Sequence, residues 1–378
     1  MTTVLITGAQ GFLGRNLAAH LACLEDLEVY HFDVDNQESE LEAWLAKADI
    51  VFHLAGVNRP QHVEEFEIGN VGFTRRICEI LRRLGRTPKI VMSSSIQAEQ
   101  DNPYGISKRK AEDVLLAFSR QTGTPTAIYR LKNVFGKWCR PNYNSVTATF
   151  CYNIAHDLPI TISDPCREIE LVYVDDVVER FLAELRDPVG RDSGYAPDTI
   201  PSTRITLGEL AGRIEVFREM KSNLMVPDFS VRFNQCLYAT YLSYAEADER
   251  EYGLSIKSDS RGSLAEFIKS RQFGQIFLSH THPGITRGHH YHHTKCEKFF
   301  VIAGEGIIRM RRIDSSEIVQ YHVRGEDYRV VDIPPGHTHC ITNVGSNEMI
   351  TLFWASELFD PDRPDTFYLD VDSPAQVS

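Results

Sequence analysis

The hydrophobic pattern of the chain changes character in its last third. Up to about residue 245, short apolar runs alternate with stretches whose apolar residues recur every three to four positions, which predicts strands alternating with helices. Beyond that point, short runs such as FGQIFLSH, YRVVDIP and EMITLFW are separated by Gly and Pro turns. The pattern therefore predicts two domains, an α/β domain over 1–245 and an all-β domain over 246–378.

The α/β domain opens with a strand, a glycine turn and a helix. The apolar run TVLIT is followed by Gly8, Gly11 and Gly14, and Arg15–Leu24 carries its apolar residues on one face. Glycines in such a turn let the backbone approach a pyrophosphate bound at the helix N-terminus. The segment predicts a dinucleotide site, with an ordinary tight turn as the alternative.

The following strands fit the same interpretation. The run LEVYHFDVD contains Asp33 about 20 residues past the glycines, where a carboxylate would bind the adenosine ribose. A solvated loop acid is the alternative for Asp33. Further apolar runs at 49–56 and 89–95, separated by helical patterns, predict a parallel, doubly wound sheet of the Rossmann type.

Candidate chemistry follows in SSSIQAEQDNPYGISKRKAE. Tyr104 and Lys108 stand one helical turn apart at a predicted helix start, so their side chains lie on the same face. An ammonium beside a tyrosine stabilises the phenolate, which makes the tyrosine a usable proton donor. A hydroxyl from Ser93, Ser94 or Ser95 would hydrogen-bond the same substrate carbonyl.

These motifs resemble those of the extended short-chain dehydrogenase/reductase family. TGxxGxxG, HLAG, SSS and YxxxK stand in order, and RLKNVFG and YVDD resemble the segments that shape the nucleotide-sugar pocket. The resemblance implies NAD(P)H as cofactor and a nucleoside diphosphate sugar as substrate. It implies catalytic roles for Tyr104, Lys108, Ser95 and Ser94, cofactor contacts from Gly8, Gly11, Phe12, Leu13, Gly14, Asp33, Leu54, Ala55 and Gly56, and substrate contacts from Asn133 and Arg167.

Two points of this resemblance stay open. Asn133 and Arg167 could instead be buried residues that only hydrogen-bond within the fold, rather than substrate contacts. The 4,6-dehydratases of the family carry an acidic pair after the catalytic hydroxyl, whereas Ser95 is followed by Ile96 and Gln97. Because water elimination needs that acid and base, a 4-ketoreductase or a 4-epimerase is favoured.

A histidine cluster stands out in the second domain, in GITRGHHYHHTKCEKFFVIAGEG. In a strand, His290 and His292 point to one face, and His289, Tyr291 and His293 point to the other. Alternation alone does not decide which set carries chemistry.

The spacing of the cluster resembles the two signature motifs of the cupin barrel. Gly284-x5-His290-x-His292-x4-Glu297 is followed by Pro334-x-Gly336-x2-His339. The resemblance implies that His290, His292, Glu297 and His339 bind a divalent metal. Three imidazoles and a carboxylate suit zinc, iron, nickel or manganese, and we expect zinc. Histidines that only hydrogen-bond within a polar cavity are the alternative.

A second resemblance in this domain is to deoxysugar 3,5-epimerases. DSRGSLAEF and RGH are similar to the stretches in which arginines contact the sugar nucleotide's phosphates, which implies this role for Arg261 and Arg287. The histidine that matches the family's base is His290, which is also a predicted metal ligand. The acid and base therefore stay open, with Tyr291, His293, Lys295 and His337 as candidates.

Over nearly its whole length the chain resembles the bifunctional CapF-type enzymes of capsular polysaccharide synthesis. Shared blocks include HLAGVNRP, SSSIQA, DNPYG and FGKWC. The resemblance implies epimerisation at carbon 3 and then reduction at carbon 4 of UDP-2-acetamido-2,6-dideoxy-β-L-arabino-4-hexulose, towards UDP-N-acetyl-L-fucosamine. The alternatives are a plain 4-ketoreductase with a structural cupin, and a sugar-nucleotide binding protein with an inactive reductase site.

The composition argues against some classes of binding partner and indicates a cellular compartment. Lys plus Arg total 40 and Asp plus Glu total 52, and the net charge of -12 argues against nonspecific binding of nucleic acid or of an anionic membrane. The eight cysteines include no CxxC pair, and no signal-peptide pattern is present. We therefore expect a cytoplasmic protein, and the CapF resemblance implies a homodimer.

Overall fold

A computed structural model describes residues 1–186, 194–246 and 252–373. Internal contacts divide the chain into two compact units. One contains Met1–Glu215 and Gln235–Ala245, and the other contains Val216–Asn234 and Glu246–Ser378. The single domain boundary at residue 245 stays a prediction.

The helices and strands alternate in the first part of the chain, and strands dominate the last part. The helices are α1 Phe12–Leu21, α2 Glu38–Lys47, α3 Glu64–Phe66, α4 Phe73–Leu84, α5 Pro103–Thr122, α6 Val146–Ala155, α7 Val174–Arg186, α8 Leu207–Asn223 and α9 Arg232–Leu242. The first strands are β1 Thr2–Thr7, β2 Leu27–Phe32, β3 Ile50–His53, β4 Lys89–Ser95, β5 Thr126–Leu131, β6 Asn133–Phe135, β7 Glu168–Tyr173, β8 Gly194–Tyr195 and β9 Ser202–Thr206. Of the helices in the described residues, none combines the length and apolar character needed to cross a bilayer.

The later strands form the second unit. They are β10 Ile256–Asp259, β11 Gly262–Ser270, β12 Gly274–Thr281, β13 Thr286–Tyr291, β14 Glu297–Ala303, β15 Glu305–Arg312, β16 Val319–Arg324, β17 Val330–Ile333, β18 His337–Asn343, β19 Met349–Ala355 and β20 Phe367–Tyr368.

The first unit is built on a parallel sheet in the order β2-β1-β3-β4-β5-β8. Alternate residues of its strands face opposite layers of helices. Val4 and Ile6 pack in one apolar core with Leu17 of α1, whereas Leu5 packs in the other with Leu81 of α4. Burial of both faces is what a doubly wound sheet requires, and the Rossmann-type fold class is confirmed.

The second unit contains two antiparallel sheets, ordered β10-β11-β12-β19-β14-β17 and β16-β15-β18-β13-β20. Their apolar faces enclose a core that includes Phe299, Ile308, Ile341 and Phe353. The apolar run EKFFVIAGEGIIRM forms two strands rather than one, because Gly304 turns the chain with a φ of 86°. An all-β domain after the α/β unit is confirmed.

Candidate functional site

The glycine turn has the close packing expected of a dinucleotide site. Gly8 has a φ of 70°, and a Cβ there would lie 2.7 Å from backbone atoms of Ala55. A Cβ on Gly14 would lie 2.2 Å from the Gly8 carbonyl oxygen. Helix α1 begins just after Gly11, three residues before the predicted start at Arg15, and no side chain caps its N-terminus. Its free N–H groups are thus available to an anion.

Helix α5 presents Tyr104 at its first turn. Asn102 caps the helix by accepting a hydrogen bond from Gly105 N at 2.8 Å, and Pro103 occupies the first turn. Burial raises the pKa of Tyr104, and a hydrogen bond with Ser95 opposes that rise. The phenol is therefore protonated at neutral pH, as a proton donor must be.

Lys108 lies one turn further along and is buried. Its Nζ donates to the Ser93 carbonyl at 2.8 Å. Burial lowers the pKa of Lys108 to about 8, and the charge of Glu112 opposes that shift. The ammonium also lies close to Gly56, because a Cβ added to Gly56 would be 3.7 Å from Nζ.

The two predicted serines differ in their surroundings. Ser95 hydrogen-bonds Tyr104, whereas the Ser94 hydroxyl donates to Glu112 at 2.5 Å. Glu112 is fully buried and also accepts hydrogen bonds from Arg130 and Tyr195. The geometry favours Ser95 over Ser94 as the hydroxyl that reaches a substrate carbonyl.

A cavity of about 990 Å³ connects these groups. Asn133 and Arg167 both line it and are exposed, so a buried hydrogen-bonding role does not describe them. Asp33 instead lines an adjoining cavity of about 560 Å³, which shares Arg15 with the larger one. The predicted residues that line the larger cavity are Gly8, Gly11, Phe12, Leu13, Gly14, Leu54, Gly56, Ser94, Ser95, Tyr104, Lys108, Asn133 and Arg167.

Some cavity residues were not predicted from the sequence. Asn70 lies in a π-helical segment, Glu67–Gly72, and its side chain hydrogen-bonds Val57 and Ser107. Trp138 lines both cavities, and the Arg15 guanidinium lies 5.3 Å from its ring centroid. Trp138 lies in the shared block FGKWC, whereas no periodicity or motif marks Asn70.

The predicted metal ligands converge in the second unit. One ligand atom from each of His290, His292, Glu297 and His339 lies within 4.8 Å of every other. The Nε2 atoms of His292 and His339 lie 3.3 and 3.2 Å from the same Glu297 oxygen, yet both are buried and lack a hydrogen-bond partner. Buried imidazole nitrogens that face one carboxylate without bonding it fit a shared divalent metal.

Backbone carbonyls orient the three imidazoles. His290 hydrogen-bonds the Gly288 carbonyl, and Nδ1 of His292 lies 2.5 Å from the Asp365 carbonyl oxygen. Nδ1 of His339 lies 3.1 Å from the His337 carbonyl oxygen. Such contacts fix the tautomer that leaves the other nitrogen free for a metal. Burial lowers the pKa of His290 to about 4, with His339 adding to the effect, so the ring is neutral as a ligand must be.

The predicted arginines lie near each other in this unit. Arg261 is exposed and forms an ion pair with Asp259 at 2.6 Å. Arg287 is half-buried and donates to the Thr281 hydroxyl at 3.1 Å. Burial lowers the pKa of Arg287, the nearby Arg261 charge lowers it further, and the Asp259 carboxylate opposes the shift. An anionic group would relieve that repulsion.

The four candidates for the epimerase acid and base differ in the contacts that their side chains already make. Lys295 is buried and donates to the Pro364 carbonyl at 3.1 Å. Tyr291 and His293 both pack against Phe367, with ring centroids 5.4 and 4.7 Å away. Nδ1 of His337 lies 3.0 Å from the Pro335 carbonyl oxygen. Lys295 is therefore the least available of the four.

Comparison with known proteins agrees with this arrangement. Residues 4–195 match the NAD dependent epimerase/dehydratase family, and residues 257–367 match the polysaccharide biosynthesis C-terminal domain. A relative from Pseudomonas aeruginosa, UDP-2-acetamido-2,6-beta-L-arabino-hexul-4-ose reductase, is 44% identical over 97% of this chain and 98% of its own length.

Solved structures give the same result. The capsular polysaccharide assembling protein CapF from Staphylococcus aureus superposes with a TM-score of 0.89 at 43% identity, covering 97% of this chain and 99% of that one. The Bordetella bronchiseptica enzyme WbmF, in complex with NAD+, superposes with a TM-score of 0.54 at 20% identity, covering 64% of this chain and 92% of that one, and it shows the fold alone. The chain therefore belongs to the NAD dependent epimerase/dehydratase family and is of the CapF type.

Proposed function

We propose that the chain is a bifunctional nucleotide-sugar enzyme with one reaction in each unit. It epimerises carbon 3 and then reduces carbon 4 of UDP-2-acetamido-2,6-dideoxy-β-L-arabino-4-hexulose, giving UDP-2-acetamido-2,6-dideoxy-β-L-talose. The observation that carries the reductase is the grouping of Tyr104, Ser95 and Lys108 beside the glycine turn in one cavity. The name of the Pseudomonas relative supports the substrate.

In the reduction, NAD(P)H supplies a hydride to carbon 4, and the chain supplies the proton. Tyr104 transfers its phenolic proton to the carbonyl oxygen. The carbonyl π bond is thereby replaced by a C–H bond, formed with the hydride, and an O–H bond, formed with the tyrosine proton. Lys108 stabilises the resulting phenolate, and the Ser95 hydroxyl holds the substrate oxygen. Gln97 lines this cavity where a dehydratase needs an acid, which supports reduction over water elimination.

In the epimerisation, the four predicted ligands His290, His292, Glu297 and His339 hold a divalent metal, for which we propose zinc. A metal bound there would orient the site or supply Lewis-acid polarisation of the ketone. Arg261 and Arg287 bind the diphosphate, since their neighbouring charges favour an anion. The proposed candidates for the base and the acid are Tyr291, His293 and His337.

Chemistry orders the two reactions. The ketone at carbon 4 makes the carbon 3 proton acidic through enolate formation, and reduction of the ketone removes that activation. Epimerisation therefore precedes reduction. A homodimer and a cytoplasmic location stay predictions.

The test is NMR of the product formed from the 4-hexulose and reduced cofactor. Inverted carbon 3 with a new carbon 4 hydrogen is expected. Reduction with unchanged carbon 3 would leave a 4-ketoreductase with a structural second domain, and absence of cofactor oxidation would exclude the reductase.

A further inference from the structure

The C-terminal segment Pro364–Asp372, called here the C-terminal strap, is anchored firmly in the second unit. Leu369 and Val371 are buried. The Thr338 hydroxyl donates to the Leu369 carbonyl, and Nε of the fully buried Arg311 donates to the Val371 carbonyl at 2.9 Å. The strap is therefore a packed part of the domain rather than a loose end.

The strap contacts the chain just before the predicted ligand His290. His289 is the extra residue of a β-bulge, has a φ of 58° and follows Gly288 at 109°. The N–H of Leu369 donates to the His289 carbonyl at 2.9 Å, and the N–H of Val371 donates to its Nδ1 at 3.3 Å. These bonds hold the bulge that brings His290 opposite His339.

The strap also contacts the chain just after His292, through Asp365. The Asp365 carboxylate accepts hydrogen bonds from the backbone N–H groups of His293, Thr294 and Lys295 at 2.9, 3.0 and 3.0 Å. Its Oδ2 also accepts the Thr294 hydroxyl at 3.0 Å. Its own carbonyl accepts Nδ1–H of His292 at 2.5 Å.

One residue thus holds a ligand ring and the loop between two ligands. His292 precedes that loop and Glu297 follows it, so its conformation sets how far apart the two ligands lie. Without the carboxylate, three backbone donors lose their acceptor and the loop gains conformational freedom. The Asp365 carbonyl would move with the loop and release the His292 ring.

We propose that Asp365 is the positioning residue of the metal centre, preorganising His292 and Glu297 for a divalent cation. The inference rests on the proposed metal site. Loss of contacts of this kind typically lowers metal affinity about 10- to 100-fold. Asp365 is not one of the four candidate ligands and acts through His292 and the loop after it, so metal affinity is the property that its replacement should change.

The test measures zinc affinity of the full chain by competition with a chromogenic chelator. Asp365→Ala should weaken zinc binding about 10- to 100-fold, while excess zinc restores proton exchange at carbon 3. Asp365→Asn keeps the Oδ1 acceptor for His293 but loses Oδ2. Its zinc affinity should therefore lie between those of the parent and of Asp365→Ala. Asp372→Asn is the matched control, because Asp372 lies on the same strap but its carboxylate pairs with Arg309 at the surface and does not bond the ligand loop within the described residues.

The outcomes separate this inference from the proposed function. Zinc affinity of Asp365→Ala within about twofold of the parent and of Asp372→Asn would overturn the positioning role but leave the metal site standing. A parent chain that binds no zinc would overturn both. If Asp365→Ala does not fold by circular dichroism, the near-isosteric Asp365→Asn decides, and parental zinc affinity in that variant would overturn the inference.

Discussion

Replacing Glu112 by Gln tests a buried carboxylate that lies on helix α5, two turns after Tyr104, and contacts the strands of the sheet. Glu112 is fully buried and accepts hydrogen bonds from Ser94 at 2.5 Å, from Arg130 at 2.6 to 3.2 Å and from Tyr195 at 3.0 Å. Glutamine keeps the shape but presents an amide N–H₂ to donors, so a charge-assisted interaction is lost and one donor is left unsatisfied.

The expected loss of stability follows from the burial of the two partners. Breaking a buried ion pair by removing one partner costs about 3–5 kcal/mol. Arg130 is 25% exposed and keeps its ion pair with Glu99. Solvent screening and that remaining partner reduce the expected loss to about 2–3 kcal/mol. It should appear as a lower urea midpoint at an unchanged m value.

The same change should move the pH dependence of reduction. Burial lowers the pKa of Lys108 to about 8, and the Glu112 charge one turn away holds it from falling further. The ion pair of Glu112 with Arg130 offsets part of the carboxylate charge, so removal of that charge should lower the Lys108 pKa by about one further unit. Lys108 acts as a cation, so activity falls as pH rises through this pKa. The alkaline limb of kcat/KM should therefore shift about one unit lower in Glu112→Gln.

Glu99→Gln is the matched control, because Glu99 contacts the same guanidinium from a position that is 70% exposed. Its unfolding free energy should change by no more than about 0.5 kcal/mol, and its pH profile should match the parent. An unchanged alkaline limb in Glu112→Gln would refute the claim that Glu112 sustains the Lys108 charge. A stability loss as small as that of Glu99→Gln would refute the structural role.

Three further predictions test the assignments in both units. Tyr104→Phe should slow cofactor oxidation by about 10²–10⁴-fold while carbon 3 exchange in deuterated water continues, and loss of exchange as well would contradict the two-site scheme. The double change His290→Ala, His292→Ala should remove zinc and destabilise the second unit, whereas full zinc occupancy by elemental analysis would exclude the ligand set. We expect NADH to be usable, because the Asp33 carboxylate repels a 2′-phosphate, and Asp33→Ala should raise the KM for NADH about tenfold. A hundredfold preference of the parent for NADPH would instead assign Arg15 to that phosphate.

The nucleotide fold was predictable because its signals are local. The strand at Lys89–Ser95 has the predicted bounds, and the glycine turn lies where its spacing placed it. The start of α1 was placed three residues late because Gly11 precedes the helix without a capping side chain, so no Ser, Thr, Asp or Asn marks it. Glu112 was missed although it continues the four-residue spacing of Tyr104 and Lys108, so the helical stripe carried a signal for it.

For the metal centre, the sequence predicts which residues are the ligands, but only the structure shows what orients them. The spacing of His290, His292 and Glu297 is a local signal, and its resemblance to the cupin motifs implied the ligand set whose atoms converge. Their orientation depends on contacts with the C-terminal strap, such as those of Asp365, which follows His292 by 73 residues. Such contacts leave no local pattern in the sequence, because the Asp365 carboxylate and carbonyl accept N–H groups from a distant part of the chain. The strap instead appears in the sequence as an ordinary acidic and proline-containing end, and only the fold shows that it holds the ligand loop.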